Sequence, residues 1–355
     1  MTTHTFVDTL GRAVYLPHTP QRLVSLVPSL TEVLFSFGRG AQVVGITDYC
    51  TEPPAGVAGK TTVGGTKNPD IAQILDLQPH LVLAVAEENQ RQDIERLAAA
   101  GVQVYVFEPR TVRDGIDLLW RVADILDCRA EVTAQIHAIE QDYAETVALV
   151  AGRQRVRVFC PIWKDPYMTI NAETYVHDTL RVCGGDNIFA YRQRRFPLAA
   201  DLGRQSEAAG ERYAQRDRRY PRMTLAEMAT LAPEVMLLPD EPYVFSAADI
   251  ADFTPFPEVP AVRDGRIYLI DGKTVSWYGP RIGHSLRTLR DLLRPEGRAP
   301  VKLGALCPRS GRGSGLPTSS QVELLHQKRG YGLLSARIEM FIVGIIDGVL
   351  GALRA

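Results

Sequence analysis

The chain has 355 residues, which is enough for roughly two to three domains. Apolar residues make up 45% of it and charged residues 23%, and the formal net charge of −1 argues against attraction of the whole protein to nucleic acid or an anionic membrane. The five cysteines are widely spaced and form no CxxC pair, which favours buried or free thiols over a disulfide framework or a zinc site.

The N-terminal stretch MTTHTFVDTLGRAVYLP lacks the basic start and the apolar core of a secretory signal. The sequence as encoded therefore predicts a cytoplasmic protein. A true start further upstream would instead allow a periplasmic or cell-surface location.

Strand and helix signals alternate in the first part of the chain. Apolar runs predict strands over 22–28, 42–47, 81–86 and 102–107, with helices between them. Two helix starts are predicted from local patterns: a capping box at Ser29 to Glu32, and Asn68 as the cap before Pro69. Such alternation indicates a parallel sheet with helices on both faces.

Residues 131–150 show a different pattern, with apolar residues spaced 4, 3, 4, 4 and 3 apart: Val132, Ile136, Ile139, Tyr143, Val147 and Val150. This spacing predicts one apolar face of a single continuous helix. A helix of that length would span about 30 Å, enough to cross the molecule.

The second half of the chain repeats the first. Residues 71–87 (IAQILDLQPHLVLAVAE) align without gaps on residues 225–241 (LAEMATLAPEVMLLPDE), so that Pro79 matches Pro233 and Glu87 matches Glu241. Strands are predicted over 156–160, 235–239 and 266–270, and helices near 174–182, 224–231 and 281–294. The shared register predicts two related lobes.

Two further segments stand out by composition. Residues 192–222 hold nine arginines against four acids, which fits either a solvated loop or an anion-binding rim. Beyond residue 298 the sequence CPRSGRGSGLPTSSQ is typical of a flexible linker, and a short apolar stretch after it predicts an appended helix that packs on the body or on a partner.

The predicted division of the chain is a lead-in (1–21), an N-terminal α/β lobe (22–128), a connecting helix (129–151), a C-terminal α/β lobe (152–297) and a linker with an appended helix (298–355).

Six pieces in order resemble a known family: VSLVPSLTEVLFSFG, VVGITDYC, VGGTKNPD, LDLQPHLVLA, LRVCGGDNIFA and DGKTVSWYGPR. They look like the cobalamin and iron-siderophore substrate-binding proteins of ABC importers, in the branch called helical-backbone metal receptors. The resemblance covers about residues 5–294. It implies an α/β fold of two doubly wound lobes with parallel sheets, joined by a single long helix, with a ligand cleft between the lobes.

The ligand site is predicted from the ends of the strands, because ligands of open parallel sheets bind beyond the carboxyl ends. Aromatic side chains there would offer apolar walls to a large flat ligand such as a corrin, and polar side chains would hold its edges. The candidate ligand-binding residues are Asp48, Tyr49, Cys50, Glu88, Trp163, Asp165, Tyr167, Glu241, Tyr243, Trp277, Tyr278 and Arg281.

Several of these assignments have alternatives. Trp163 fits core packing under a loop as well as a cleft wall, and Arg281 fits a surface salt bridge as well as a cleft role. Glu88 and Glu241 fit cation binding, pairing with Arg281 or contact with ligand amides. No resident metal is predicted, since the histidines show no HxH or HExxH spacing, and no catalytic set is recognisable.

The predicted partner is a small-molecule metal complex, first cobalamin or another corrinoid, and otherwise a ferric siderophore or haem. The resemblance implies an acid on each lobe that docks on an ABC permease, but Ala72 and Ala226 occupy the matching positions. Three functions are compatible with these residues: an importer module, a cytoplasmic sensor or carrier, and an enzyme acting on a metal-containing cofactor. Of these we predict ligand capture for ABC-type uptake, and not catalysis. We expect a monomer that does not bind nucleic acid.

Overall fold

The structure is a computed structural model that describes residues 4–208, 213 and 216–294. The predicted linker and appended helix (298–355) lie outside these residues. Within the described ranges, no helix combines the length and the apolar character that crossing a membrane requires.

The strands are β1 (His4–Val7), β2 (Ala13–Leu16), β3 (Leu23–Ser25), β4 (Val43–Ile46), β5 (Thr61–Thr62), β6 (Gly64–Gly65), β7 (Asn68–Pro69), β8 (Leu81–Val85), β9 (Val104–Phe107), β10 (Val156–Phe159), β11 (Pro161–Trp163), β12 (Met168–Thr169), β13 (Gly185–Asn187), β14 (Val235–Pro239) and β15 (Ile267–Ile270). The α-helices are α1 (Pro28–Ser36), α2 (Pro54–Val57), α3 (Ile71–Asp76), α4 (Arg91–Ala99), α5 (Val112–Ile125), α6 (Arg129–Val150), α7 (Tyr175–Val182), α8 (Leu198–Asp201), α9 (Leu225–Leu231), α10 (Pro260–Arg263), α11 (Lys273–Ser276) and α12 (Ile282–Leu292). Short 3-10 helices cover Gly40–Gln42 and Ala247–Phe253.

The N-terminal lobe is built on a parallel sheet of five strands in the order β5-β4-β3-β8-β9. Every residue of β8 and β9 is buried, as expected for strands covered by helices on both faces. The core of this lobe includes Val24, Val82, Ile94 and Val104. The antiparallel hairpin β1–β2 lies against β9, where the Thr9 hydroxyl donates to the carbonyl of Val106 at 2.8 Å.

The C-terminal lobe is built on a second parallel sheet, of four strands in the order β13-β10-β14-β15. Its core is rich in aromatic and methionine side chains, among them Phe159, Phe189, Met236 and Phe253. These two sheets confirm the predicted α/β architecture of two parallel-sheet lobes.

Helix α6 joins the lobes as one continuous helix and packs against α5 and α12. Val132, Ile136 and Ile139 of the predicted apolar face are buried. Val147 is not: its side chain is 44% exposed, and the neighbouring Thr146 is buried in its place. The last turns of α6 are therefore rotated relative to the face that the apolar spacing predicted.

The internal repeat extends to the backbone. Helix α3 and strand β8 coincide with α9 and β14 at the offset read from the sequence. Asp70 and Thr224 cap the two helices through side-chain oxygens that accept from Gln73 N and Glu227 N. Gln78 and Ala232, at matching positions after the helices, both adopt left-handed conformations, with φ of 46° and 47°. The two lobes thus share a local structural unit as well as a sequence pattern.

Two predicted helix starts are wrong. Helix α1 begins at Pro28, with Val27 as its N-cap and no side-chain cap, so Ser29 does not act as a capping residue. Pro28 begins the helix one residue early because its fixed φ suits the first helical position. Asn68 and Pro69 form β7, which pairs with β6, and Asp70 caps α3 instead.

Candidate functional site

The lobes meet where the loop after β8 faces the segment between α11 and α12. Tyr278 Oη donates to Glu88 Oε1 at 2.6 Å, across 190 positions of sequence. Next to it the chain passes very close to α1: a Cβ on Gly279, whose φ is +134°, would lie 2.9 Å from Val33 Cγ2. This part of the interface requires glycine, both for its conformation and for the space.

Three half-buried acids lie near this contact. Burial, which disfavours the charged carboxylate, raises the pKa of Glu88 to about 7, and the hydrogen bond from Tyr278 opposes that rise. Burial likewise raises the pKa of Glu87 and of Glu241, and each adds to the pKa of Glu88 through charge repulsion. Burial and the facing carboxylate also raise the pKa of Tyr278, so the phenol stays protonated and acts as the donor. Glu88 can therefore meet a polar ligand edge either as a neutral acid or as a carboxylate near neutral pH.

One side of the contact is an inter-lobe ion cluster. Arg281 Nε donates to both carboxylate oxygens of Glu32 at 2.8 Å, and Arg281 Nη2 lies 3.5 Å from Glu52 Oε1. Lys273 Nζ lies 4.0 Å from the same oxygen of Glu52. The ring of the buried Trp277 lies beside both cations, 5.6 Å from Lys273 Nζ and 5.5 Å from Arg281 Cζ. Arg281 thus joins the lobes, and Trp277 packs beneath this cluster.

The other side of the contact is a second inter-lobe ion pair. Arg219 Nη1 lies 3.3 Å from Glu87 Oε2, and Arg219 Nη2 lies 2.7 Å from Asp217 Oδ2. Lys67 Nζ donates to the carbonyl of Glu87 at 2.7 Å. Beside this pair a cavity of about 430 Å³ is lined by Arg110, Glu173, Gln193, Arg216, Asp217, Arg218 and Arg219. Part of the arginine-rich segment therefore lies at the edge of the cleft, together with Arg110 from the loop after β9.

Aromatic side chains line the carboxyl edge of the C-terminal sheet. The half-buried Trp163 follows β10, and its ring meets that of Tyr243, which follows β14, edge to face at 5.5 Å and 76°. Tyr243 in turn contacts Phe245 at 4.7 Å. Asp165 lies exposed at the tip of the β11–β12 hairpin with φ of +61°. Trp163 and Tyr243 thus form a partly exposed aromatic wall at this edge of the sheet.

Besides Glu88, Tyr278 and Arg281, three further predicted residues have side chains that contact other groups of the protein. The buried Tyr167 stacks on Phe245 at 6.3 Å, and its hydroxyl donates to Asp252 at 2.7 Å. The buried Cys50 Sγ lies 3.1 Å and 3.2 Å from two threonine hydroxyls, Thr31 and Thr47, and burial raises the pKa of its thiol. Glu241 accepts from the Ser276 hydroxyl at 3.2 Å. Tyr167 and Cys50 therefore support the cleft from beneath.

Asp48 and Tyr49 lie on the loop after β4. Asp48 is exposed, and its backbone N–H donates to the carbonyl of Gly64 at 2.9 Å. Tyr49 packs beside Gly65, where an added Cβ would lie 3.3 Å from the Tyr49 ring. This loop approaches the cleft from the N-terminal lobe.

Sequence reasoning missed the charged residues that hold the lobes together, chiefly Glu32, Glu52, Arg219 and Lys273. Glu32 was assigned to a capping box, a local pattern that concealed its partner on the other lobe. The rule that ligands bind at the ends of strands selects Glu88 and equally the adjacent Glu87. For Glu87, therefore, the sequence did contain a signal for a position at the cleft.

Comparison with known proteins supports the two-lobed architecture. Residues 23–274 match the family model described as periplasmic binding protein. The vitamin B12-binding protein of Photorhabdus laumondii is 26% identical over 185 residues, which cover 52% of this chain and 66% of that protein. The match therefore spans slightly less than two thirds of the relative's length.

Two solved structures have a similar fold. The vitamin B12-binding protein BtuF of Vibrio cholerae has a TM-score of 0.62 and 20% identity, with 78% of this chain and 97% of that chain covered. The heme-binding protein RhuT of Roseiflexus has a TM-score of 0.63 and 21% identity, with 77% and 97% covered. Since the family match spans both lobes and most of the sequence, this chain belongs to the periplasmic binding protein family.

Proposed function

We propose that this protein captures a metal-containing complex, first of all a cobalamin or another corrinoid, in the cleft between its lobes for uptake by an ABC-type importer. The observation that carries the proposal is the aromatic wall of Trp163 and Tyr243, which lies at the carboxyl edge of the C-terminal sheet. The vitamin B12-binding relative supports the choice of ligand.

The chemistry of a corrinoid suits this arrangement. A corrin has large apolar faces and amide groups around its edge. Trp163 and Tyr243 offer apolar area at a low cost in side-chain entropy, and Tyr243 adds a hydroxyl. Glu88, with a pKa near 7, can donate to an amide carbonyl when it is protonated and accept from an amide N–H when it is ionised.

Delivery to a permease requires a docking surface on each lobe. Ala72 on α3 and Ala226 on α9 are both exposed at equivalent positions of the repeat, where the resemblance implies docking acids. A cytoplasmic sensor or carrier with the same cleft is therefore the alternative role. Fractionation of the native cells distinguishes the two, since an importer module must be found outside the cytoplasm.

Haem is the second candidate ligand. The arginine-lined cavity beside the cleft favours a ligand with acidic groups, and the fold of a heme-binding protein is among the similar structures. A corrinoid remains the first candidate ligand, because the similar protein of Photorhabdus laumondii is a vitamin B12-binding protein.

The test is a titration of the purified protein with cyanocobalamin, haem and a ferric siderophore, followed by tryptophan fluorescence. The chain has three tryptophans, and Trp120 lies away from the cleft, donating to Glu140 at 3.1 Å under the Arg129 guanidinium. We expect Trp163→Ala to weaken binding of the corrinoid by about fivefold to a hundredfold, in line with about 1–3 kcal/mol for a stacked aromatic contact. Trp120→Phe is the matched control and should bind as the parent does.

Unchanged affinity in Trp163→Ala would show that the ligand binds elsewhere. Failure of all three ligands to bind at micromolar protein and ligand concentrations would refute capture of this class of complex.

A further inference from the structure

The cavity beside the Glu87–Arg219 pair has an unusual charge. Four of its lining residues are arginines and two are acids, which leaves two positive charges: Arg110, Arg216, Arg218 and Arg219 against Glu173 and Asp217. Its walls come from both lobes, since Arg110 follows β9 and the other residues belong to the C-terminal lobe. The cavity is therefore continuous with the edge of the inter-lobe cleft.

Among the residues that the structure describes, these arginines find partners for only some of their N–H donors. A guanidinium carries five N–H donors in a planar fork. Arg219 uses all three nitrogens on Asp217 and Glu87, whereas Arg110 uses Nε and Nη2 on Glu108. Arg218 uses Nη1 on Glu207 and on a backbone carbonyl.

The guanidinium of Arg216 packs against two aromatic rings. Its guanidinium lies 5.3 Å from the ring centre of Phe196 and 5.4 Å from that of Tyr213, and in the described part of the chain it forms no ion pair. Stacking fixes the plane of a guanidinium and leaves its in-plane donors available. Arg216, with the remaining donors of Arg110 and Arg218, thus forms an incomplete set that an acidic group would complete.

Positive charge also lies behind the cavity wall. Arg194 and Arg222 are only 8% and 5% exposed, and Arg222 Nη1 has no hydrogen-bond partner among the described residues. Burial, and then the neighbouring Arg222, lower the pKa of Arg194 to about 10, so both remain cationic at neutral pH. Buried charges act over a longer range than solvated ones because the low-polarity interior screens them less.

We propose that this cavity is the subsite for an acidic group on the periphery of the captured ligand, either a carboxylate or a phosphate. This inference rests on the proposed function, since it assigns one edge of the same ligand. The apolar body of the ligand occupies the cleft, and its acidic group accepts charge-assisted hydrogen bonds from Arg216 and Arg218. Such bonds between a guanidinium and an oxyanion are about twice as strong as those between neutral groups. Ligands that carry such an acid are thereby selected over neutral ones of equal size.

Two pairs of ligands test the proposal and distinguish the two acids. Haem and its dimethyl ester differ in their carboxylates, and cyanocobalamin differs from cobinamide by its nucleotide loop, which carries the phosphodiester. Affinities are measured by calorimetry at low and at physiological salt. We expect the acidic member of one pair to bind roughly tenfold to a hundredfold more tightly than its neutral counterpart, the range for a charge-assisted hydrogen bond.

Variants locate the effect. Arg216→Gln with Arg218→Gln should abolish the preference for the acidic member while the affinity for the neutral member is retained. Arg204→Gln removes one charge from an exposed position of the same segment, outside the cavity lining, and should leave the preference unchanged. Melting temperatures of the variants show whether they are folded.

The outcomes are separable. Equal affinities within both pairs, or a preference that survives in the double variant, would refute the anion subsite and leave capture intact. No binding by any of the four ligands would refute the proposed function, and the subsite with it.

Discussion

The contact between Arg281 and Glu32 gives a direct test of how the lobes are held together. Arg281→Met removes the guanidinium and keeps an apolar side chain beside Trp277. The two side chains are 29% and 15% exposed, so solvent weakens the pair but does not abolish it. A charge-assisted hydrogen bond contributes about 1.5–3 kcal/mol, and partial exposure lowers the expected loss to about 1–2 kcal/mol.

The assay is a double-mutant cycle with Glu32→Gln, read by thermal and urea unfolding. If the two groups interact across the lobes, the double variant should be less destabilised than the sum of the single variants, with a coupling energy of about 1 kcal/mol. Arg263→Met is the matched control, because among the described residues Arg263 pairs only with the adjacent Asp264, at side-chain exposures of 60% and 46%. It should leave the free energy of unfolding close to that of the parent.

Additivity of the single variants within about 0.5 kcal/mol would refute the reasoning, because groups that do not interact show no coupling. A loss of stability in Arg263→Met as large as in Arg281→Met would also refute it, since the effect would then follow from removing any arginine.

Two further variants test the centre of the interface. Burial raises the pKa of Glu88 from 4.5 to about 7, so between these pH values the folded state binds more protons than the unfolded state, and stability should fall as pH rises. Glu88→Gln should flatten the dependence of stability on pH in this range. If the slope of melting temperature against pH between pH 5 and 7 is the same in the variant, the assignment is wrong. Gly279→Ala places a Cβ 2.9 Å from Val33 Cγ2 at a φ of +134° and should cost more than about 1 kcal/mol. Gly152→Ala, at a φ of +74° with nothing within 4 Å, bears only the conformational cost and should be milder; equal losses would show that the close approach to α1 is unimportant.

Local periodicity made the scaffold predictable. The spacing of apolar residues identified α6, and the shared register of residues 71–87 and 225–241 identified the repeat, because both patterns follow from hydrogen bonding and burial within short stretches. The rule that ligands bind at the carboxyl ends of parallel strands placed Glu88 and Trp163 near the cleft. These signals depend on nearby sequence or on sheet topology alone.

The partners across the cleft were not predictable in the same way. Tyr278 and Glu88 are 190 positions apart, and Arg281 and Glu32 are 249 apart. Which side chains meet depends on how the two lobes are oriented by the packing of α5, α6 and α12, and no short pattern encodes that. The burial of Cys50 beside the hydroxyls of Thr31 and Thr47 also follows from tertiary packing. The local sequence around Cys50 does not show which residues cover it.

The contacts between the lobes differ in strength from one edge to the other, which indicates how the cleft admits a large ligand. Near α6 the interface is buried: Val112 N of α5 donates to Asp178 Oδ2 of α7 at 2.8 Å, and a Cβ added to the buried Gly115 of α5 would lie 3.1 Å from Tyr278 Cβ. Away from α6 the lobes are joined by part-exposed ion pairs. The longer ones, Arg219–Glu87 at 3.3 Å and Arg281–Glu52 at 3.5 Å, contribute about 0–1 kcal/mol each and weaken with salt. We therefore expect opening to separate the Arg219–Glu87 and Arg281–Glu52 pairs first, while the buried edge serves as the hinge. Hydrogen exchange in increasing salt should show faster exchange in the loops after β8 and β4 and unchanged exchange in α5 and α6; uniform acceleration of both lobes would contradict this order.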